Sequence, residues 1–485
     1  MASAIDGLKP EPVWRYFAEI AKIPRPSKHE ERMTAYVLDT ARKFGLSGVS
    51  DKYGNVVVRK PASPGKESTQ MICLQGHLDM VPEKNKQKVH NFLKDPLELV
   101  RDGNMMRANG TTLGADNGIA VATMLAIMED KSLTHGPLEF LFTVDEETGL
   151  TGANHIKGTF LQSRTMMNLD SEEEGSIYVG CSGGKDCVGT WKASWQKAPG
   201  RSRPMLVTVK GLKGGHSGLE IDKNRGNAIK ILNRVLLRLS ELGVRISSIN
   251  GGNKRNAIPR ESEALVSVPS AKTAKVKKLV SSLNAELKAE IASVDPELSI
   301  TIAAVKDAAK VKVLAPAVQT DILHTISALP HGVIKMSSDI PGLVETSTNV
   351  AVITTDAKSV TLGTSQRSSV ASEIVEIKET VKTIFTLGGA SVKMGDGYPG
   401  WKPNLDSAIL KNAQATYQQL YGKKPEIKAI HAGLECGIIG EKFPGMDMIS
   451  FGPTMEGVHS PDEKLHIDTV PKFWNFLMSI LRNVN

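Results

Sequence analysis

Three N-terminal patches of this 485-residue chain collect side chains that bind borderline metal ions. GHLDMVPE holds His77 and Asp79, GTTLGADNG holds Asp116, and VDEETG holds Glu146 and Glu147, followed by NLD with Asp170. Ions of the zinc type take imidazole nitrogen and carboxylate oxygen. A carboxylate two residues from a ligating imidazole can hold the other ring nitrogen and fix the tautomer. Adjacent glutamates suit a division of labour, one on a metal and the other moving protons. Each patch alone is weak, because HxD occurs by chance and paired glutamates are more often a solvated face. Their joint appearance, each after an apolar run, is the informative feature.

Those runs must position the site. QMICLQGHLDM, PLEFLFTVDEE and RTMMNLD read as short strands that end in polar residues, NVVVRK as another strand, and IAVATMLAIMED as a buried helix. EPVWRYFAEIAKI and HEERMTAYVLDTARKFG carry apolar residues at helical spacing. This is an α/β pattern, in which ligands bind at the carboxyl ends of the strands. After WKASWQKAPG the pattern changes to strand, helix, two strands, helix and strand, ending at LSITIAAV. That βαββαβ order is ferredoxin-like. A second, less complete version follows from VQTDILHTISALP to ASVKM. From about Gly400 the α/β pattern returns, with helix DSAILKNAQATYQQLYG, strand MDMISFGP and closing helix TVPKFWNFLMSILRN. Two organisations fit: one α/β domain interrupted by an insertion, or three consecutive small domains.

Composition excludes several classes. The length exceeds what one core supports, so two or more domains are expected. Aromatic residues at 5% argue against stacking platforms for single-stranded nucleic acid. The net charge of +8 is scattered, with modest clusters such as Lys84, Lys86 and Lys88, and reads as solvated surface. No nucleic-acid partner is expected. MASAIDGLKPEPVW lacks a basic region followed by an apolar core, and no segment supplies the ~20 apolar residues of a membrane span. A cytoplasmic protein without a membrane partner is expected. Cys73, Cys181, Cys187 and Cys436 are too few for a disulfide scaffold and lack CxxC spacing. GCSGGKD has the wrong spacing for a phosphate loop, no GxSxG elbow supports a serine hydrolase, and His90, His135 and His155 lie outside the metal motifs.

In chain order, GHLDMVP, GTTLGADNG, DEETG and NLD resemble the metal-binding series of the M20 peptidases and deacylases. GLKGGHSG is similar to that family's lid motif and GPTMEGVHSPDE to its final metal-ligand motif; HAGLEC, with His431 and Glu435, also matches. The likeness spans nearly the whole chain. The long lid, with GTTLGADNG, TSTN and YPGWKP, looks most like the aminoacyl-histidine dipeptidase branch.

The resemblance implies two divalent metal ions, zinc first, with cobalt or manganese as alternatives. Asp116 matches the bridging ligand, His77 and Asp170 the other ligands of one metal, and Glu147 and His459 those of the second. Glu146 matches the general base and Asp79 the carboxylate that orients His77. A cis Asp116–Asn117 peptide is also implied. His216 matches a lid histidine that helps hold the oxyanion, often from the partner subunit; Asn349 and Arg367 are candidates for gripping a substrate carboxylate.

His459 lies far beyond Asp170 in sequence, so one site must gather both ends of the chain. This favours the interrupted organisation: an α/β catalytic domain of the di-zinc exopeptidase type at residues 1–191 and 394–485, with an inserted α+β ferredoxin-like lid and dimerisation domain at 192–393. The implied activity is hydrolysis of dipeptides, Xaa-His dipeptides such as carnosine foremost, by a metal-shared water with Glu146 as base. Another M20 chemistry, an N-acyl amino acid deacylase or tripeptidase, and a catalytically silent binding homologue are the alternatives. A homodimer is expected, because the second ferredoxin-like unit looks incomplete.

Overall fold

The N-terminal apolar runs pair side by side in the computed structural model, which describes residues 3–305 and 311–484. Ile72–His77 lies between Leu138–Thr143 and Thr165–Asn168 and runs parallel to both, with Ile72 opposite Leu138 and Thr165. Asp447–Ser450 joins from the far end of the chain, parallel to Thr165–Asn168. These four strands form the middle of an eight-stranded sheet that continues through Val56–Lys60 and Ser47–Ser50 on one side, and Ser176–Cys181 and Glu426–Ile430 on the other. Ile72–His77 and Leu138–Thr143 are buried at every position, as an apolar strand covered on both faces requires. Helix Ala115–Glu129 is buried from Ala115 to Met128, matching its lack of a polar face.

This sheet belongs to a first compact unit made of Met1–Gly180, Pro403–Ala429 and Leu434–Asn485. Two details aim its strand ends. Asn117 accepts from the His77 backbone N–H at 3.3 Å and donates to the Leu169 carbonyl at 2.9 Å, tying helix, strand and loop together. The Asp116–Asn117 peptide is cis. The C-terminal segment returns as the antiparallel pair Met455–Glu456 and Lys464–His466, the latter held against Met105–Ala108. His459 sits in the loop between the two.

Cys181–Lys402 and Ile430–Gly433 form the second unit. Its main sheet is antiparallel throughout, in the order Ser299–Ala304, Ser202–Lys210, Ser262–Pro269, Arg245–Gly251, Val344–Thr355, Ser359–Ser368, Gly183–Lys192 and Ser391–Met394. Gly332–Met336 pairs beside Val344–Thr355. The first four strands, with helices Ala228–Ser240 and Thr273–Glu290, have the ferredoxin-like spatial order 4-1-3-2. The last four repeat that order, with helices Pro316–Ala328 and Ala371–Leu387. The sequence suggests only a less complete second set, and the structure completes it. Gly183–Lys192 is its first strand, paired with Ser359–Ser368 and Ser391–Met394. It was overlooked because the whole first set intervenes before its partners.

Among the described residues, no helix is long and apolar enough to cross a membrane. All four cysteines are buried, and none of them forms a disulfide.

Gly76 is the position where the strand, Asn117 and the buried helix meet most closely. A Cβ there would lie 2.3 Å from Asn117 Oδ1 and 3.1 Å from the Ala120 Cβ. Gly76→Ala is therefore expected to destabilise the protein by about 1–3 kcal/mol, as overpacking of a rigid core does. A fall of Tm in thermal unfolding checks this, and an unchanged Tm contradicts it.

Candidate metal centre

Three of the four parallel strands of the first unit's sheet deliver site side chains at its carboxyl edge. Ile72–His77 ends in His77 itself, Leu138–Thr143 leads to Glu146 and Glu147, and Thr165–Asn168 leads to Asp170. Asp145 turns the chain after its strand with φ 49°, and its carboxylate takes the hydroxyls of Thr148 and Thr151. His459 also sits in the left-handed region, at φ 61°. Such conformations are sparsely populated for residues with a Cβ and are kept where the surroundings enforce them.

The side chains converge on Asp116. Its Oδ1 lies 3.1 Å from His77 Nε2, and its Oδ2 lies 3.1 Å from His459 Nε2. Asp170 Oδ1 stands 3.4 Å from His77 Nε2, and Glu147 Oε2 stands 2.9 Å from His459 Nε2. Two ligand triads result, His77–Asp116–Asp170 and Asp116–Glu147–His459, and Asp116 belongs to both. Glu146 forms a third cluster with His77 and Glu147. Asp79 is fully buried behind them. Its Oδ1 lies 3.3 Å from His77 Nδ1, and its carboxylate accepts from Ser27 Oγ and from the backbone N–H groups of Glu146 and Glu147.

The electrostatics of this arrangement ask for cations. Burial pushes the Glu146 carboxyl well above the ordinary carboxylate range against the pull of His77, and Asp170, Glu147 and Glu435 add to the rise. Burial likewise pushes Asp170 up to about 7, with Asp116 and Glu147 adding to it and His77 opposing. Glu147 Oε1 and Asp170 Oδ1 are buried without hydrogen-bond partners. Buried oxygens of this kind are costly unless something compensates them. Orphaned carboxylate oxygens beside two imidazole nitrogens form the mixed N/O donor set that zinc-like ions accept. The residues present fit two such ions sharing Asp116.

Three buried residues escaped the sequence reading or received no role in it. Glu435 is fully buried, accepts from Gln75 Nε2 and Thr143 Oγ1 at 2.6 Å each, and leaves Oε1 unpartnered. Burial raises it to about 7, with Asp170 and Asp79 adding and Thr143 and His77 opposing. Arg25 and Glu463 are each 2% exposed and lie beside the ligand-bearing loops. A charged residue between two prolines in IPRPS, and a glutamate four residues past His459, were the available signals.

The remaining candidates lie in the second unit. His216 Nδ1 accepts from the backbone N–H groups of Gly218 and Leu219 at 3.2 and 3.1 Å. A neutral ring must then carry its proton on Nε2, which is left as a donor. Burial and the nearby Arg367 guanidinium pull this imidazole down to about 4, so it is neutral near pH 7. Arg367 is buried, donates to the Tyr398 hydroxyl at 2.9 Å, and has an unpartnered Nε. His216, Arg367 and His431 crowd around Gly218. A Cβ on Gly218 would lie 2.1 Å from the His431 carbonyl oxygen, 3.1 Å from His216 Cε1 and 3.2 Å from Arg367 Nε. Asn349 is placed differently: its amide nitrogen donates to the carbonyls of Arg255 and Ala257, which holds that loop, and only Oδ1 is free.

Comparison with known proteins gives the same picture from outside. The profile of peptidase family M20/M25/M40 matches residues 73–483. The chain is 41% identical to the cytosol non-specific dipeptidase of Escherichia coli strain K12 over 483 residues, 99% of each protein. The crystal structure of aminoacylhistidine dipeptidase from Vibrio alginolyticus superposes with a TM-score of 0.91 at 41% identity, covering 100% of this chain and 98% of that one. A tripeptidase from Staphylococcus aureus shares the fold, with a TM-score of 0.58 at 16% identity over 98% of this chain and 99% of that one.

The sharing of Asp116 sets an expectation for metal content. Asp116→Ala should lose both ions, whereas His459→Ala should weaken chiefly one. Elemental analysis of the purified variants tests this, and two full equivalents retained by Asp116→Ala would refute the bridge. Asp79→Ala, which removes only the support behind His77, should weaken metal binding about 10–100-fold.

Proposed function

Since the chain belongs to peptidase family M20/M25/M40, by the match over residues 73–483 and 41% identity across 99% of its length, we propose that it is a metal-dependent dipeptidase. Xaa-His dipeptides such as carnosine are the substrate class put forward. The observation that carries this reading is Asp116, shared by two ligand triads with the half-buried Glu146 beside them. The names of the two relatives at 41% identity, a non-specific dipeptidase and an aminoacylhistidine dipeptidase, support the substrate class.

In this reading His77, Asp116 and Asp170 hold one ion, and Asp116, Glu147 and His459 the other. Zinc is proposed, with cobalt and manganese as the ions to compare. Divalent ions bound there supply Lewis acidity and make water a nucleophile at neutral pH. Glu146 takes the proton of the attacking water and returns it to the leaving amine. Asp79 keeps His77 in its ligating tautomer. The Nε2–H of His216 donates to the carbonyl oxygen as charge develops there. Arg367, held by Tyr398, accepts the C-terminal carboxylate of the dipeptide on its planar fork. Asn349 supports the neighbouring loop and offers Oδ1 toward the substrate. A cytoplasmic location goes with this reading and is supported by the name of the Escherichia coli relative.

The second unit, expected from the sequence as residues 192–393 and extended by Gly183–Lys192, is proposed as a lid that also serves dimerisation. The sequence argument for a homodimer is the apparent incompleteness of the second ferredoxin-like set, and that argument falls because Gly183–Lys192 completes the set. The homodimer rests on the family resemblance alone. Mixing inactive His216→Ala subunits with inactive Glu146→Gln subunits decides the matter. Partial recovery of activity means that the lid serves a partner's site. A dead mixture of a sedimenting monomer means that it serves its own.

Glu146→Gln should lower kcat by roughly 10²–10⁴ with metal content near that of the unaltered protein. Near-normal turnover would remove Glu146 as the base. A panel of Xaa-His dipeptides, other dipeptides, tripeptides and acetylated amino acids then separates a dipeptidase from a tripeptidase or deacylase.

A further inference from the structure

Arg25 is a buried cation that touches none of the reacting groups. It is 2% exposed, in a turn fixed by Pro24 and Pro26. Its Nη1 donates to the carbonyls of Leu78 and Asp79 at 2.9 and 2.7 Å, and its Nη2 donates to the carbonyl of Gly114. One rigid planar group therefore spans two separate loops. The first follows His77 directly and carries Asp79; the second leads directly into Asp116. The fork geometry of guanidinium, which an ammonium lacks, suits this bridging role.

The surroundings are built around it. Gly114, at φ +65°, and Gly118 leave the space that the guanidinium fills: a Cβ on either would lie 2.7 or 2.6 Å from Nη2. Met80 N–H donates back to the Arg25 carbonyl, and Ser27 Oγ donates to Asp79, so the turn is fastened to the same loop through backbone and side chain. On the other side of the Gly114–Ala115 peptide stands Glu463. Its Oε2 accepts from the N–H groups of Leu113 and Gly114 at 2.7 and 3.0 Å, and its Oε1 accepts from those of Ala115 and Asp116 at 2.8 and 3.3 Å. Glu463 lies four residues beyond His459. The Gly114–Ala115 peptide is thus gripped by its carbonyl from Arg25 and by its N–H, that of Ala115, from Glu463. Through that peptide the segments bearing His77, Asp116 and His459 are locked together without any of the three touching Arg25.

A buried charge is costly unless it is compensated. The acceptors on Arg25 are neutral carbonyls, and its Nε has no partner. The charges that favour it are the carboxylates of Asp79, Glu463, Asp116 and Glu147. The arrangement places a permanent positive charge behind the candidate ligand carboxylates.

We propose that Arg25, opposed by Glu463 across the Gly114–Ala115 peptide, is the positioning residue of the metal centre: it holds the His77–Asp79 and Gly114–Asp116 loops in ligating register before any ion enters. The proposal rests on the metal-centre reading above. Its role is preorganisation, so its loss weakens capture of the ion more than it changes the loaded site.

The experiment is zinc titration of metal-depleted protein against a chromophoric chelator, with no substrate present, on Arg25→Gln and on Gly118→Ala. The second variant leaves Arg25 in the chain but pushes on its guanidinium. It also replaces a helical glycine by the best helix former, so a purely structural role predicts no loss. Both variants are expected to bind zinc 10–100-fold more weakly than the unaltered protein. Saturating zinc is expected to restore most of kcat with KM for the dipeptide unchanged. Zinc affinity within twofold of the unaltered protein, in either variant with a native circular dichroism spectrum, overturns the proposal. If Arg25→Gln does not fold, Gly118→Ala alone decides by the same criterion. If the unaltered protein takes up no zinc that Asp116→Ala abolishes, the metal-centre reading itself fails and this proposal falls with it.

Discussion

A carboxylate has two oxygens, and those of Asp116 face two different imidazoles, His77 and His459. The first unit is organised to make that possible. Buried like charges repel, and the low polarity of an interior magnifies the repulsion. Asp116, Asp170, Glu146, Glu147 and Asp79 stay together only because each is placed by backbone that cannot relax. Parallel strands end beneath three of the groups, the Asn117 amide joins helix to strand, and a hairpin of the C-terminal segment carries His459 in. The same crowding explains why Glu147 Oε1 and Asp170 Oδ1 are left without a hydrogen-bond donor. A centre built to receive cations must be under-compensated without them.

Much of this was legible in the sequence because an apolar run that stops at a polar residue is a local signal. QMICLQGH, PLEFLFTVDEE and RTMMNLD each announce a strand and the group at its end. The parallel register of the strands could not be read there, nor could the convergence of His459 on Asp116, which rested on the family likeness and not on spacing. Arg25 and Glu463 were missed for a different reason. Their partners are backbone carbonyls and N–H groups, and any residue supplies those, so no complementary residue type appears at a fixed distance. Asn349 shows the opposite limit. Its residue type fits substrate binding, yet its amide nitrogen is engaged by two carbonyls of a neighbouring loop.

The second unit teaches a related lesson about topology. Two ferredoxin-like sets with the same 4-1-3-2 order stand in one sheet, but only the first is contiguous in sequence. The second is split around it. A reader moving along the chain meets a strand, Gly183–Lys192, with no neighbour in sight, and assigns it to whatever came before. The error is built into reading in one dimension, because pairing partners that are distant in sequence leave no mark on local composition. Its effect reaches the functional argument, since the case for a second subunit leans on that apparent incompleteness.

That nesting also orders events at the ribosome. All four strands of the inner ferredoxin-like set have been made once residue 304 has emerged, and the pairing among those four is internal to residues 202–304, although Arg245–Gly251 still awaits Val344–Thr355 on its other edge. Gly183–Lys192 emerges earlier but must wait for Ser359–Ser368 and Ser391–Met394. The wait is longer in the other unit, where Thr165–Asn168 stands with one edge unpaired until Asp447–Ser450 arrives. Vectorial synthesis therefore completes the strand sets of this chain from the inside outward: the inner set first, then the split set around it, then the last strand of the parallel sheet. Long-range strand pairing is slow and leaves edges exposed meanwhile. The hairpin that carries His459 is followed only by helix Thr469–Asn483, so a nascent chain cannot assemble the proposed cation site before nearly all of it has been made.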